Sequence, residues 1–300
     1  MSQAPLSGFP QDPVDRQLFE QSDAPVATWV GNLNDRGHHR HRATEIALIV
    51  DGRAVHFTAN GEYPVTAGDV LVIGHGMTHG YRQADGRIAN VLYDPAVLGI
   101  HAHDLLSLPG YHAVFDLEPA FRDQHHFRSR LHLQPEGLEK ARRLVARVDA
   151  ELGARRPAYR TAALGLLLEY VVFLARSYSG QGSSHSQALL RLGEVLAFMH
   201  GHYAERITRP QLAAMAHMSE SSLVRAFAKA LGCSPIAYLI GVRVKKAAEL
   251  LKAGAGNVTD VAYRVGFSDS NYFARQFRAH TGHAPSELLA PPGRKTTGPV

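Results

Sequence analysis

From Ala27 to about Tyr93 the apolar positions come in short runs broken by glycine. Glu45–Val50 and Val70–Ile73 are continuous apolar stretches, Ala54, Val55, His56 and Phe57 alternate, and Ile88–Tyr93 closes the series. Between them stand Asp51-Gly52, Asn60-Gly61, Gly68-Asp69 and Gly74–Gly76. Asp-Gly and Asn-Gly are strong hairpin signals. Short strands punctuated in this way predict a small β-barrel or sandwich. Residues 94–134 show no regular period. After Pro135 the period changes to that of a helix, with Leu138, Ala141, Val145, Val148 and Leu152 recurring at heptad spacing. Pro157 opens a second helical pattern with Leu164, Leu168, Val171, Ala175 and Tyr178 on one stripe. Leu164–Leu174 is so apolar that this helix must be covered on more than one side. It either caps the barrel or forms a dimer seam, and its surplus apolar surface makes a homodimer the expectation.

Ser179–Ser186 (SGQGSSHS) reads as a flexible linker. Beyond it the chain repeats itself. Leu212–Ser219 (LAAMAHMS) matches Val261–Ser268 (VAYRVGFS) at an offset of 49, and Leu223–Phe227 matches Phe273–Phe277 at an offset of 50. The difference is one extra residue at the start of the second copy's second helix. Each copy is a short helix, a turn and an amphipathic helix. Gly266 permits the left-handed backbone of such a turn, and Ser268 is the expected cap of the helix after it. In the first copy Leu223, Ala226, Phe227, Ala230 and Leu231 form the inner face. Thr208-Arg209-Pro210-Gln211 opens that copy as a capping box. A long helix from Ser234-Pro235 to Gly254 joins the two. Two helices, a turn, an apolar inner face and a basic outer face describe a helix-turn-helix reader of DNA. Two such heads about 34 Å apart would meet successive major grooves.

Charge agrees with this division. Residues 183–300 hold five Lys and nine Arg against seven acidic residues, a net +7, while residues 1–182 carry −2. One end is suited to phosphate and the other is not. The chain length suits two domains. No apolar run approaches the roughly 20 residues of a membrane span, and no secretory signal opens the chain. The single Cys233 excludes an intrachain disulfide and fits a reducing cytosol, so a cytoplasmic protein with no membrane partner is expected. At a helix junction, Cys233 reads as small-residue filler.

Two histidine clusters interrupt the strand pattern. His39 and His41, two apart, face the same side of a strand, and Glu45 and His79 lie where they could converge on them. The spacing resembles the cupin double motif. His39, His41, Glu45 and Gly52 fit its first half; in its second, Gly68, Gly76 and His79 fit, Gly74 replaces a proline, and Gln83 stands where asparagine is usual. The resemblance implies a cupin-like barrel in which His39, His41, Glu45 and His79 occupy the four metal-ligand positions. Three imidazoles and a carboxylate suit one divalent Zn, Fe, Mn or Ni. The alternative is a metal-free pocket in which the histidines hydrogen-bond a ligand.

The C-terminal third carries a longer signature: Val261-Ala262, Gly266-Phe267-Ser268, Tyr272-Phe273, Arg275, Phe277, Gly282 and Pro285. With these residues, 187–290 resembles the DNA-binding domain of AraC-type transcription regulators. It departs from that pattern at His217, where glycine is common, at Ala284, where Ser or Thr caps, and at Leu288-Leu289, where Tyr-Arg is frequent. The resemblance implies an α+β chain in six parts: an N-terminal arm (1–26), a cupin-like sensor (27–134), a helical dimerisation or capping segment (135–178), the linker (179–186), an all-α double helix-turn-helix domain (187–290) and a disordered tail (291–300). By position, Ser221, Val224 and Arg225 of the first head and Ser270, Asn271 and Arg275 of the second face bases. Arg suits guanine and Asn adenine. Lys229, Lys245, Lys246 and Arg278 fall to phosphates. Arg225 and Arg275 each sit two before a core Phe, so either could instead brace its helix through an ion pair. The implied partners are promoter DNA, a small-molecule effector such as a sugar, and RNA polymerase, with activation the more usual outcome and no catalysis. The competing reading is a metal-dependent cupin dioxygenase or isomerase fused to a DNA-binding tail.

Overall fold

A computed structural model describes residues 24–41, 43–95, 104–122, 124–179 and 182–289. The arm up to residue 23, Arg42, Gly99, His101, His103 and the tail 291–300 lie outside the described residues. The chain divides into two units, Met1–Glu194 and Val195–Val300.

The first unit is built on one antiparallel sheet of seven strands: β1 (Val26–Asn32), β2 (Arg36–Arg40), β3 (Thr44–Thr58), β4 (Glu62–Thr66), β5 (Asp69–Ile73), β6 (Thr78–Tyr93) and β7 (Leu131–His132). The order is β1-β6-β3-β5-β7, with β2 added to β6 and β4 to β3. This is the cupin-like sheet domain that the strand pattern predicts. Its two long strands were not foreseen. Asp51-Gly52 is no hairpin: β3 runs straight through it, and Gly52 opposes Gly86 of β6 where the register shifts. Gly52 has φ +75°, and a Cβ there would lie 1.9 Å from the Asp85 carbonyl. The glycine serves a bulge, which needs the same positive φ as a hairpin turn. Beyond the bulge β3 changes partner, from β5 (Glu45–Leu48) to β4 (Arg53–Phe57). The long strands therefore belong to both halves of the sheet, and the interior between them is filled by Ala47, Ile49, Tyr63, Leu71, Ile88 and Phe127.

Asp69, fully buried, ties the sheet's edge down. It accepts bonds from the Thr66 amide (2.8 Å), Arg130 Nε (2.7 Å) and His132 Nδ1 (2.9 Å), which joins β5 to β7. Residues 109–121, unassigned from sequence, are helical with a π-helical turn at His112–Leu117.

Two helices follow, α1 (Pro135–Ala154) and α2 (Tyr159–Tyr178). Val171, Ala175 and Tyr178 of the expected stripe of α2 are buried, together with Ala163, Leu167, Tyr170 and Leu174, while Leu164 and Leu168 at its start are only half-buried. Among the described residues α2 is the one helix long and apolar enough to cross a membrane by length and composition, although Arg160, Glu169 and Arg176 interrupt its apolar run. Its side chains pack within the unit: Tyr178 Oη donates to the Ser129 carbonyl at 2.6 Å, and Arg147 of α1 reaches Glu169 at 2.9 Å.

Helix α3 (Ser184–Gly201) begins inside the stretch read as linker, and Ser186 is buried. Ser183 Oγ accepts the Ser186 amide at 3.0 Å, a side-chain cap that a Ser-rich sequence offers as readily as it offers flexibility. The second unit comprises the end of α3 with α4 (Arg209–Met215), α5 (Glu220–Leu231), α6 (Pro235–Lys252), α7 (Val258–Arg264) and α8 (Ser270–Thr281). Val244, Ala247 and Leu251 of α6 meet Val261, Phe273 and Phe277 in one cluster. Eighteen residues long, α6 spans about 27 Å.

Candidate DNA-reading heads and effector cavity

The sequence repeat is repeated bond for bond. In the first head α4 closes with His217 N–H to the Ala214 carbonyl (3.1 Å) and Met218 N–H to that of Ala213 (2.9 Å). In the second, Gly266 donates to Tyr263 (3.0 Å) and Phe267 to Ala262 (3.0 Å). Both turn residues are left-handed, His217 at φ +53° and Gly266 at φ +92°. Gly266 is needed twice over, because a Cβ there would stand 2.7 Å from the Ala204 carbonyl oxygen. The reading helices end alike, at Gly232 (φ +69°) and Gly282 (φ +78°).

Their starts differ, and this locates the extra residue. Ser219 caps α5 by accepting the Ser222 amide at 3.2 Å. The equivalent of Ser219 is Ser268, but the cap of α8 is Asp269, whose carboxylate accepts the Tyr272 amide. The insertion therefore lies in the turn rather than in the helix, and an aspartate at the positive helix end caps at least as well as serine.

Leu223 and Phe227 of α5, and Phe273 and Phe277 of α8, are buried. On the outer faces Ser221, Arg225, Asn271 and Arg275 are exposed, while Val224 and Ser270 are half-buried. Neither arginine forms an ion pair among the described residues. Arg225 donates to Ser222 Oγ at 3.1 Å, and the Arg275 guanidinium lies 5.9 Å from the centre of the exposed Tyr272 ring. Lys229 and Lys245 are exposed. Arg278 is exposed and 4.0 Å from Glu287, and Lys246 is mostly covered and 3.1 Å from Glu249. Arg243 is structural: it donates to the Tyr203 and Glu205 carbonyls at 2.7 Å each and lies over Phe267. Cys233 is half-buried, and burial raises its thiol pKa.

A left-handed non-glycine residue costs on the order of 1–2 kcal/mol. His217→Gly should thus raise the stability of the second unit by up to about 1 kcal/mol, after the extra unfolded-state entropy of glycine is subtracted. Chemical denaturation of the full chain reads this directly; an unchanged midpoint would mean that the turn is unstrained.

In the sheet domain, β2 and β6 place His39 directly opposite His79, and β3 and β6 place His56 opposite Tyr81. His79 and Tyr81, two apart on β6, face the same side. Donor nitrogens of His39, His41 and His79 all lie within 4.8 Å of one another. Glu45 Oε2 is 2.7 Å from His41 Nε2 and 3.5 Å from His79 Nε2, so the fourth predicted residue reaches two of the three imidazoles. All four are buried. His39 Nδ1 is 2.9 Å from the Gly37 carbonyl. Burial lowers the pKa of His39 and carries those of His56 and His79 well below the usual value, which leaves neutral rings at pH 7. Burial likewise holds the Tyr81 phenol protonated. Sequence reasoning missed His56 and Tyr81. The signal was the alternation at 54–57, which points His56 inward. An open cleft of about 470 Å³ adjoins this group, lined by Arg36, Phe57, Glu62, Tyr81 and Arg82 among others.

Comparison with known proteins covers both units. The AraC-like ligand binding domain family matches residues 29–140, and a helix-turn-helix domain family matches residues 212–290. The chain is 28% identical over 253 residues to the HTH-type transcriptional activator RhaS of Klebsiella pneumoniae (strain 342), covering 83% of this chain and 86% of that one. It is 29% identical over 252 residues to RhaS of Enterobacter sp. (strain 638), with the same coverage. Among solved structures, a probable AraC family transcriptional regulator from Rhodopseudomonas palustris CGA009 is 34% identical, with 33% of this chain and 94% of that chain covered and a TM-score of 0.32. The chain belongs to the AraC family of transcription regulators, DNA-binding proteins and not enzymes, with an AraC-like ligand-binding domain ahead of its helix-turn-helix heads.

Proposed function

We propose that this chain activates transcription from promoters that it marks with both heads, under the control of a small polar effector held in the sheet domain. The observation that carries this reading is the doubled head, whose turns, caps and outward-facing polar residues recur at offsets of 49 and 50. The relatives named as transcriptional activators support the sign of regulation. In this reading Ser221, Val224 and Arg225, and Ser270, Asn271 and Arg275, face base edges; Lys229, Lys245 and Arg278 meet phosphates, and Lys246 joins them if its Glu249 contact gives way. RNA polymerase is the downstream partner. Leu164 and Leu168 of α2, half-buried in the single chain, are the proposed seam of a homodimer.

A sugar suits the cavity chemically. The open cleft is lined by Arg36, Glu62, Tyr81 and Arg82, whose charged groups and protonated phenol match hydroxyl groups, and the neutral imidazoles of His39, His56 and His79 lie buried beside it. To switch anything, the effector must bind the active and inactive states with different affinity. A promoter–reporter assay with this chain and a panel of sugars checks it. Reporter output that rises with one sugar, and stays flat when His56 or Tyr81 is replaced by Phe, is the expected result. Output indifferent to every polar metabolite tried would leave a constitutive DNA-binding protein.

A further inference from the structure

The two reading helices carry the same arginine on different supports. At an offset of 50, Arg225 answers to Arg275, but the residue one turn before it differs: Ser222 in the first head, Tyr272 in the second. Ser222 Oγ accepts a bond from Arg225 Nη2 at 3.1 Å, so that guanidinium spends a donor within its own helix. Tyr272 offers a ring instead, and the Arg275 guanidinium carbon lies 5.9 Å from its centre. Tyr272 is 37% exposed, and among the described residues it is the one large apolar side chain exposed on either reading helix.

The ring is also held in place. Asp269 caps α8 by accepting the Tyr272 amide, which makes Tyr272 the third residue of the helix and fixes its backbone in the first turn. Away from Arg275 the ring meets Phe267 of the turn, with 6.0 Å between ring centres. Asn271 is exposed beside it, and Arg275 is its neighbour one turn on. In a helix-turn-helix the N-terminal residues of the reading helix reach base edges. The major groove presents one apolar group there, the 5-methyl of thymine, and apolar side chains are its partners. Base pairs stack about 3.4 Å apart, so two side chains in contact reach the same pair or adjacent ones. A guanine pairs with cytosine, which has no methyl, so the thymine belongs to a neighbouring pair. We infer that Tyr272 reads the methyl of a thymine next to the guanine read by Arg275. The second head then recognises a two-base step, and the first head, with Ser222 at this place, does not. This inference rests on the proposed placement of Arg275 at base edges.

The test uses the full chain and duplexes that it selects from a random pool. Each thymine of the selected sequence is replaced in turn by deoxyuridine, which removes the methyl and keeps every hydrogen-bonding group. Affinity is read by fluorescence anisotropy, and Arg275→Ala identifies the guanine that Arg275 reads. For the parent, deoxyuridine beside that guanine should weaken binding about fourfold, the effect of one buried methyl group. Tyr272→Phe keeps the ring and should keep that loss. Tyr272→Ser, which installs the first head's residue, should bind the thymine and deoxyuridine duplexes alike while still preferring guanine at the neighbouring pair. A ring that only steadied Arg275 would behave differently: Tyr272→Ser would relax the guanine preference, and no deoxyuridine would weaken the parent. Absence of a methyl-sensitive thymine beside that guanine, or an undiminished loss in Tyr272→Ser, would overturn the inference. Arg275→Ala separates the two readings. If it loses a guanine preference while no thymine methyl matters, only the role of Tyr272 falls. If it discriminates as the parent does, or if the parent selects no sequence at all, the placement of α8 at base edges falls and this inference with it.

Discussion

Phe273→Ala is expected to destabilise the C-terminal unit by about 3–5 kcal/mol. Phe273 is fully buried in α8 and stands edge-on to Phe267 (5.1 Å between ring centres) and to Phe277 (5.4 Å). Val244, Ala247 and Leu251 of α6 and Val261 and Val265 close the same cluster. Removing the ring forfeits its transfer free energy and leaves a cavity that helices anchored at several points cannot fill. A domain of this size is stable by only about 5–15 kcal/mol, so the loss takes a large part of its margin. The edge-on ring pairs add ~0.5–1.5 kcal/mol to the cost. Denaturant unfolding should show one transition moved to lower concentration with the other in place, together with loss of operator binding near the new midpoint. A shift below about 1 kcal/mol would mean that the second head is not packed as described.

Arg275→Ala should leave stability nearly unchanged and weaken specific DNA binding by about 1–3 kcal/mol, with relaxed preference at one base pair. The structure removes the ion pair that would have made this arginine a brace: it is exposed, and its only described partner is the Tyr272 ring three residues back. Such stacking on an exposed ring orients a guanidinium while leaving its donors free for guanine O6 and N7. A lysine at this position would keep the charge but lose the planar fork, so Arg275→Lys should recover non-specific binding more than specificity. The check is competition binding against operators altered one base pair at a time. Equal discrimination by Arg275→Ala and the parent would remove the base-reading role.

Much of the C-terminal unit was legible because local signals agree there. The offset between the copies predicted two equivalent turns, and the backbone bonds at His217 and Gly266 coincide. The cap at Asp269 was missed because Ser268 and Asp269 are both good caps, and sequence alone does not say which side of a one-residue insertion the helix starts on. In the sheet domain the spacing of His39, His41, Glu45 and His79 foretold which side chains meet. The strand lengths were not readable: a positive-φ glycine marks a hairpin or a bulge equally well, and only the pairing of Gly52 with Gly86 across β3 and β6 decides. Helix α2 is apolar on several faces, so periodicity fixed its existence and only the C-terminal part of its buried stripe. Residues 109–121 escaped because Pro109 and Gly110 read as loop and a π-helical turn breaks the 3.6 period.

The central claim is that one chain reads DNA with two heads. Hydroxyl-radical footprinting of the full chain on its operator tests it most directly. The prediction is two protected patches for each bound chain, on one face of the duplex and about one helical turn apart. Arg225→Ala should weaken one patch and Arg275→Ala the other. A single protected patch that both substitutions weaken equally would contradict it.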